Sequence, residues 1–198
     1  MMKKFLAVAI LAATVSLTGS FAAESEGDSD AADVIVLLDV SQSALPYFQD
    51  VTDYVVSSVV EDYLRYGDTF HLLSFGETAQ AEIAQRMASE ADVKSVLGRL
   101  YLLYPLARYS DLVGALNYLY QYTADLAESR RKVVVVITDG MHNPPPASST
   151  FGMAPEKVQV EIESAAARIR ALSDTLTPSP FSPRTTCPAW SISISRVR

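Results

Sequence analysis

Val34-Ile35-Val36-Leu37-Leu38-Asp39-Val40-Ser41-Gln42-Ser43 is the stretch that decides how the chain is read. Its first half is a continuous apolar run, the pattern of a strand covered on both faces in a parallel α/β sheet. The run stops at a carboxylate, and two hydroxyls follow at alternate positions. From Leu45 onward the apolar residues Leu45, Phe48, Val51, Val55, Val59 and Tyr63 step by three and four, which predicts a long helix ending near Tyr66-Gly67. Ser43 is placed to cap that helix, and Pro46 lies in the first turn, where its missing amide does little harm. Asp39-x-Ser-x-Ser therefore falls in a strand-to-helix loop at the carboxyl edge of the sheet, where open α/β folds place their ligands. Carboxylate and hydroxyl oxygens converging there suit a hard cation.

Working outward, Asp68–Phe75 predicts a second strand, and Gly76-Glu77 a tight turn into Thr78–Ala84, a polar strand suited to an antiparallel edge. His71 alternates with Phe70 and Leu72 and reads as structural. Glu90–Leu100 and Asp111–Ala127 predict helices, joined by an aromatic connection with Tyr101, Tyr104 and Tyr109. Val133-Val134-Val135-Val136-Ile137-Thr138 is six β-branched residues without a break, the strongest strand signal in the chain. It ends at Asp139-Gly140, and Glu156–Leu172 predicts a last helix. The fold class is α/β: a Rossmann-like, mostly parallel sheet with one antiparallel edge strand and helices on both faces.

With 198 residues, nearly half hydrophobic, the chain can bury one α/β domain. Residues 1–22 run from Met1-Met2-Lys3-Lys4 through an apolar core to small residues ending at Ala22, the order of a secretory signal peptide. Its apolar run is too short for a membrane anchor. Residues 23–32 read as an acidic flexible lead-in, 33–173 as the domain, and 174–198 as a Ser/Pro-rich tail in which Ala189–Val197 has strand-like alternation. The expected location is periplasmic or secreted, with no stable membrane span after cleavage. Cys187 is the only cysteine, so no internal disulfide is available. The formal net charge of −7 argues against nucleic acid and anionic membrane surfaces as partners.

Oxygen groups now accumulate at three junctions: Asp39, Ser41 and Ser43; Ser110 and Asp111; and Asp139. Taken with the runs Ser110-Asp111-Leu112-Val113-Gly114-Ala115-Leu116 and Ile137-Thr138-Asp139-Gly140, the order resembles the metal-ion-dependent adhesion site of von Willebrand factor A (VWA) domains over roughly Asp33–Leu172. The resemblance implies Ser41 and Ser43 as direct ligands of Mg2+ (or Mn2+ or Ca2+). Ser110 stands at the position usually held by threonine, and Asp39 and Asp139 would act mostly through bound water. It also implies no enzyme activity, and a protein partner supplying a carboxylate to the metal. Family members normally continue past the last helix with another apolar strand and a helix, which the tail 174–198 replaces, so the sheet is expected to be incomplete there unless Ala189–Val197 supplies the strand.

Blander readings of single residues stay open. Ser43 and Ser110 each fit a helix N-cap, Asp139-Gly140 a simple turn, Asp111 a first-turn carboxylate. His142 is a rim candidate or a solvated loop histidine, and Asp111 a rim candidate as well. Two other functions fit parts of the pattern. A magnesium-dependent phosphate-ester hydrolase of the haloacid-dehalogenase type also begins with an Asp ending its first strand, although Ser41 stands where such enzymes carry a second acid. A degenerate VWA domain would bind through its surface without metal.

Overall fold

The computed structural model describes residues 31–172 and the backbone of Ser193–Ser195. The expectations for the leader 1–22, for the lead-in as far as residue 30 and for most of 174–198 lie outside the described residues. Strands β1 (Ala32–Asp39), β2 (Thr69–Phe75), β3 (Ala79–Arg86), β4 (Arg131–Ile137) and β5 (Ser193–Ser195) form one sheet in the order β3-β2-β1-β4-β5. β1 pairs in parallel with β2 and with β4, and β3 runs antiparallel to β2 at the edge. β5 continues the parallel set beside Val135–Ile137. The mixed α/β sheet is the one expected. β1 begins at Ala32, inside the segment expected to be flexible, because the Ala32 amide donates to the buried Asp68 carboxylate at 2.7 Å.

The unbroken apolar run of β1 is explained by two cores. Val34, Val36 and Leu38 face one, with Phe70, Leu72, Val55, Val96 and Leu100. Ile35 and Leu37 face the other, with Leu73, Phe75, Val134, Val136, Leu116, Leu119 and Ile169. Each fully buried aliphatic side chain contributes ~1.5–3 kcal/mol relative to exposure, so neither face of β1 tolerates a polar residue. Helices α2 (Glu90–Leu102), α3 (Leu112–Ala124) and α4 (Pro155–Ala171) lie close to their expected positions.

The helix after β1 departs from expectation. It winds as a 3-10 segment (Gln42–Tyr47), then α1 (Phe48–Tyr54), then a π segment (Val55–Glu61). One hydroxyl accounts for part of this: Ser57 Oγ donates to the Asp53 carbonyl at 2.8 Å, while the similar bond from Thr52 Oγ1 to the Phe48 carbonyl lies within α1, where the winding stays α. With the Asp53 carbonyl already engaged, the ladder slips one residue further, and the amides of Asp62 and Leu64 reach the carbonyls of Ser57 and Val59 at 3.1 Å. Gly67 does adopt a left-handed conformation (φ 96°), several residues beyond the helix end. Nor does Ser43 cap: the 3-10 segment starts after Ser41, whose side chain makes no capping bond either.

At the amino ends of the strands a buried ionic staple fixes their starts. Arg130 Nε donates to Asp33 Oδ1 at 2.8 Å, and its terminal amino group reaches the carbonyls of Ala32 and Gly67 and the hydroxyl of Thr69 at 3.1–3.2 Å. His71 is structural, as expected: Nδ1 bonds the Tyr122 hydroxyl at 2.9 Å and Nε2 lies 3.6 Å from Asp33.

Burial raises the Asp33 pKa, but the His71 hydrogen bond and then Arg130 outweigh it and hold the carboxyl below its ordinary 3.8. A carboxyl depressed in the fold stabilises the protein above its unfolded value, and that stability is lost as pH falls through the folded value. Stability from denaturant titration should therefore drop below about pH 4, and the drop should be shallower in Asp33→Asn. Parallel curves for the two proteins would place acid sensitivity elsewhere.

Candidate functional site

The register of the parallel strands builds the site. Leu38 pairs with Ile137 and Asp39 with Phe75, so the residue level with Asp39 across β4 is Thr138. Asp39 is buried and accepts three bonds. Ser41 donates its amide to Oδ1 at 2.9 Å. Oδ2 accepts from Thr138 Oγ1 at 2.8 Å and from Ser110 Oγ at 3.3 Å. Ser41 Oγ and Ser43 Oγ stand 3.0 Å apart. Asp39, Ser41, Ser43 and Ser110, separated by up to 71 positions in sequence, thus converge, and Asp139 stands beside them.

Backbone pairing holds the converging loops in register. Ser41 bridges to Ala107 and Ser110 to Asn143. The bonds are Gln42 N to Ala107 O at 2.8 Å, Ala107 N to Val40 O at 3.1 Å, and the reciprocal Ser110–Asn143 pair at 2.8 and 2.9 Å. Gly76 completes the lock by accepting from the Asp111 amide at 2.8 Å. A Cβ on Gly76 would sit 2.2 Å from Ala107 Cβ, so only glycine lets the β2–β3 turn approach this closely. The site is assembled by loops stitched to one another, with no reliance on long side chains.

The electrostatics are unusual for a buried acid. Burial pushes the Asp39 pKa up; bonds from Ser41 and Thr138 oppose this, while the neighbouring Asp139 charge adds to it. No cation appears among the groups that set it. Asp139 is half-buried, and its Oδ1 accepts the Met141 amide at 2.8 Å, a local turn that holds the carboxylate at the rim of the loop. Gly140 (φ 76°) makes that turn, its amide donating to Thr138 Oγ1 at 3.1 Å. Among the described residues no group of three or more His, Cys, Asp or Glu could hold a metal. The donors gathered here are hydroxyls plus two carboxylates, all hard oxygens, a set that fits magnesium or manganese and not a soft metal.

The two rim candidates lie in a separate network. Asp111 caps α3 and is not inside its first turn: Oδ1 accepts the Gly114 amide at 3.0 Å, and Oδ2 accepts Ser148 Oγ at 2.6 Å. A Cβ on Gly114 would meet Oδ2 at 2.8 Å, so glycine is what admits this cap. Ser110, one residue earlier, is left free of capping and points to Asp39. His142 bonds Thr150 Oγ1 at 3.1 Å, and desolvation lowers its pKa against the opposing pull of Asp111. It is half-buried, and its hydrogen-bond partner is Thr150, not Asp39. Thr138 is a site residue that the pattern of β-branched residues hides, since it reads as the end of the strand; its place directly before Asp139-Gly140 is the signal that marks it.

The sequence from 34 to 142, more than half of the chain, matches the von Willebrand factor type A domain family. The chain belongs to that family. A search among curated proteins finds no match. Among solved structures, a von Willebrand factor type A protein from Catenulispora acidiphila superposes with a TM-score of 0.51 at 16% identity, over 74% of this chain and 37% of that one. Proximal thread matrix protein 1 from the mussel byssus gives 0.52 at 18% identity, over 73% and 36%. BatB from Bacteroides thetaiotaomicron is 20% identical over 68% and 62%, with a TM-score of 0.46. This VWA domain thus spans less than two thirds of each of these proteins, and at such identities the likeness shows the fold alone. VWA domains are generally protein-interaction modules.

Removing the Asp39 charge relieves its desolvation and its repulsion from Asp139 while keeping an acceptor for Ser41 N. Asp39→Asn should raise the melting temperature in chelator by ~2–4 °C, the shift ~1 kcal/mol produces in a domain of this size. A fall of that size would show that the carboxylate stabilises the metal-free fold.

Proposed function

We propose that this VWA domain is an exported binding module that holds a divalent cation at Asp39, Ser41, Ser43, Ser110 and Asp139 and uses it to capture an acidic side chain of a protein partner. The observation that carries the reading is a buried carboxylate whose partners are hydroxyls and an amide, with no cation among them. A buried charge left in that state is costly, and a bound cation would neutralise it. Ser41, Ser43 and Ser110 would be the direct hydroxyl donors, with Asp39 orienting Ser41 and Ser110. Thr138 holds Asp39 in place, and Asp139 would add the second negative charge. A bound divalent cation with mainly neutral ligands keeps its appetite for one more anionic oxygen, and an Asp or Glu from the partner supplies it.

One further observation supports part of the reading. The basic-apolar-small order of residues 1–22 supports export to the periplasm or beyond. No helix among the described residues is long and apolar enough to cross a membrane.

Titration with magnesium or manganese should raise the melting temperature. At a metal concentration 100 times the dissociation constant the added stability is ~2.7 kcal/mol. Ser41→Ala should remove most of the shift, and chelator all of it. An unchanged melting temperature in the wild type, or a full shift in Ser41→Ala, would refute the metal site.

A further inference from the structure

The connection from α2 to the Ser110 loop carries a pattern that the metal site does not use. Leu103, at the end of α2, is extended (φ −73°, ψ 140°), and the chain from there to Ala107 forms neither helix nor strand. Leu103 packs against the core and Pro105 is buried, while the residues alternating with them, Leu102, Tyr104 and Leu106, are 75%, 59% and 68% exposed. An extended segment with one covered face normally turns polar side chains to water. This one is apolar on both faces.

The strip runs directly to the metal loops. The Leu106 carbonyl accepts Gln42 Nε2 at 3.5 Å, and Ala107 pairs with Ser41. Tyr104 is braced by a tilted ring contact with Phe48 at 6.4 Å. Two more exposed apolar residues flank the proposed ligands in sequence: Leu45, two after Ser43, and Met141, two after Asp139. Five large apolar side chains are thus left exposed on or next in sequence to the segments that build the site, and exposure of that kind, where it is grouped, marks an interaction site. The net charge of −7 disfavours an anionic membrane as what covers it.

We infer that Leu102, Tyr104 and Leu106 form the apolar half of one composite interface with the metal. Its occupant is an extended segment of a partner protein that carries an Asp or Glu followed by apolar side chains at every second position. The inference rests on the metal-binding reading and adds the partner's sequence chemistry to it. Tyr104 and Leu106 lie two residues apart on the non-helical segment, a spacing that an extended partner segment repeats, and Leu102 at the end of α2 adds a third exposed apolar side chain. The carboxylate supplies dependence on metal, and the alternating apolar side chains supply affinity and direction.

The probe is a labelled peptide, Asp-Ser-Leu-Ser-Leu-Ser-Leu, compared by fluorescence anisotropy with the version in which every Leu is Ser. In magnesium the leucine peptide should bind the full chain at least about tenfold more tightly, and chelator should weaken both peptides. The double variant Leu102→Ser/Leu106→Ser should bring the two affinities together while keeping the wild-type melting shift with magnesium. Equal affinities on the wild type, with that melting shift present, would overturn the strip and leave the metal site standing. Absence of the melting shift would overturn the metal reading beneath it. Two further results would also overturn the proposal: phosphatidylcholine vesicles that sediment the wild type but not the variant would give the strip to a lipid surface, and magnesium-dependent self-association lost in the variant would give it to a second copy of the chain.

Discussion

A single carboxylate, Asp39, connects nearly everything of functional interest in this domain. It ends the central strand, is 2% exposed, and is held by hydroxyls from two other segments, Ser110 and Thr138, and by Ser41 beyond it. A buried charge answered only by dipoles is expensive to maintain. The fold bears that cost because its loops are bolted together by backbone pairs and by the close approach at Gly76. The register of β1 against β4 is what aims Thr138 at Asp39. Shifting that register by one residue would exchange the two cores as well as the site.

The two ends of the sheet divide the work. At the amino ends, Asp33 is matched by Arg130, and Asp68 ties down the Ala32 and Arg65 amides. Charges there are satisfied within the protein, and the result is a rigid base. At the carboxyl ends the carboxylates of Asp39 and Asp139 face one another's fields with no such counter-ion. The apolar burial of two cores and the satisfied base provide the stability against which the unsatisfied top is held. The separation explains how a domain of this size can keep an electrostatically unfavourable loop cluster in one arrangement.

Much of this was legible in the residues. The unbroken apolar run of Val34–Leu38 announced a strand covered on both faces, and the valine run announced its neighbour. The order of the Asp-x-Ser-x-Ser, Ser-Asp-Leu and Thr-Asp-Gly segments located the loops that meet. What escaped was decided by contacts distant in sequence or by side chains competing with the backbone. Periodicity predicts one long helix after β1, because spacing is blind to the hydroxyl of Ser57 that competes for its carbonyl ladder. The pattern of α3 puts Asp111 in its first turn, and only the Gly114 amide bonding to its carboxylate shows that it is the cap. Thr138 reads as part of the strand it follows, for register is not visible in one strand alone.

The central claim is that the hydroxyls around Asp39 hold a divalent cation. Anomalous scattering from crystals soaked in manganese tests it most directly. The account predicts a peak within bonding distance of the Ser41, Ser43 and Ser110 hydroxyl oxygens, absent from crystals of Ser41→Ala. A manganese-soaked wild-type crystal with no peak at that loop, or a peak unaffected by Ser41→Ala, would contradict it.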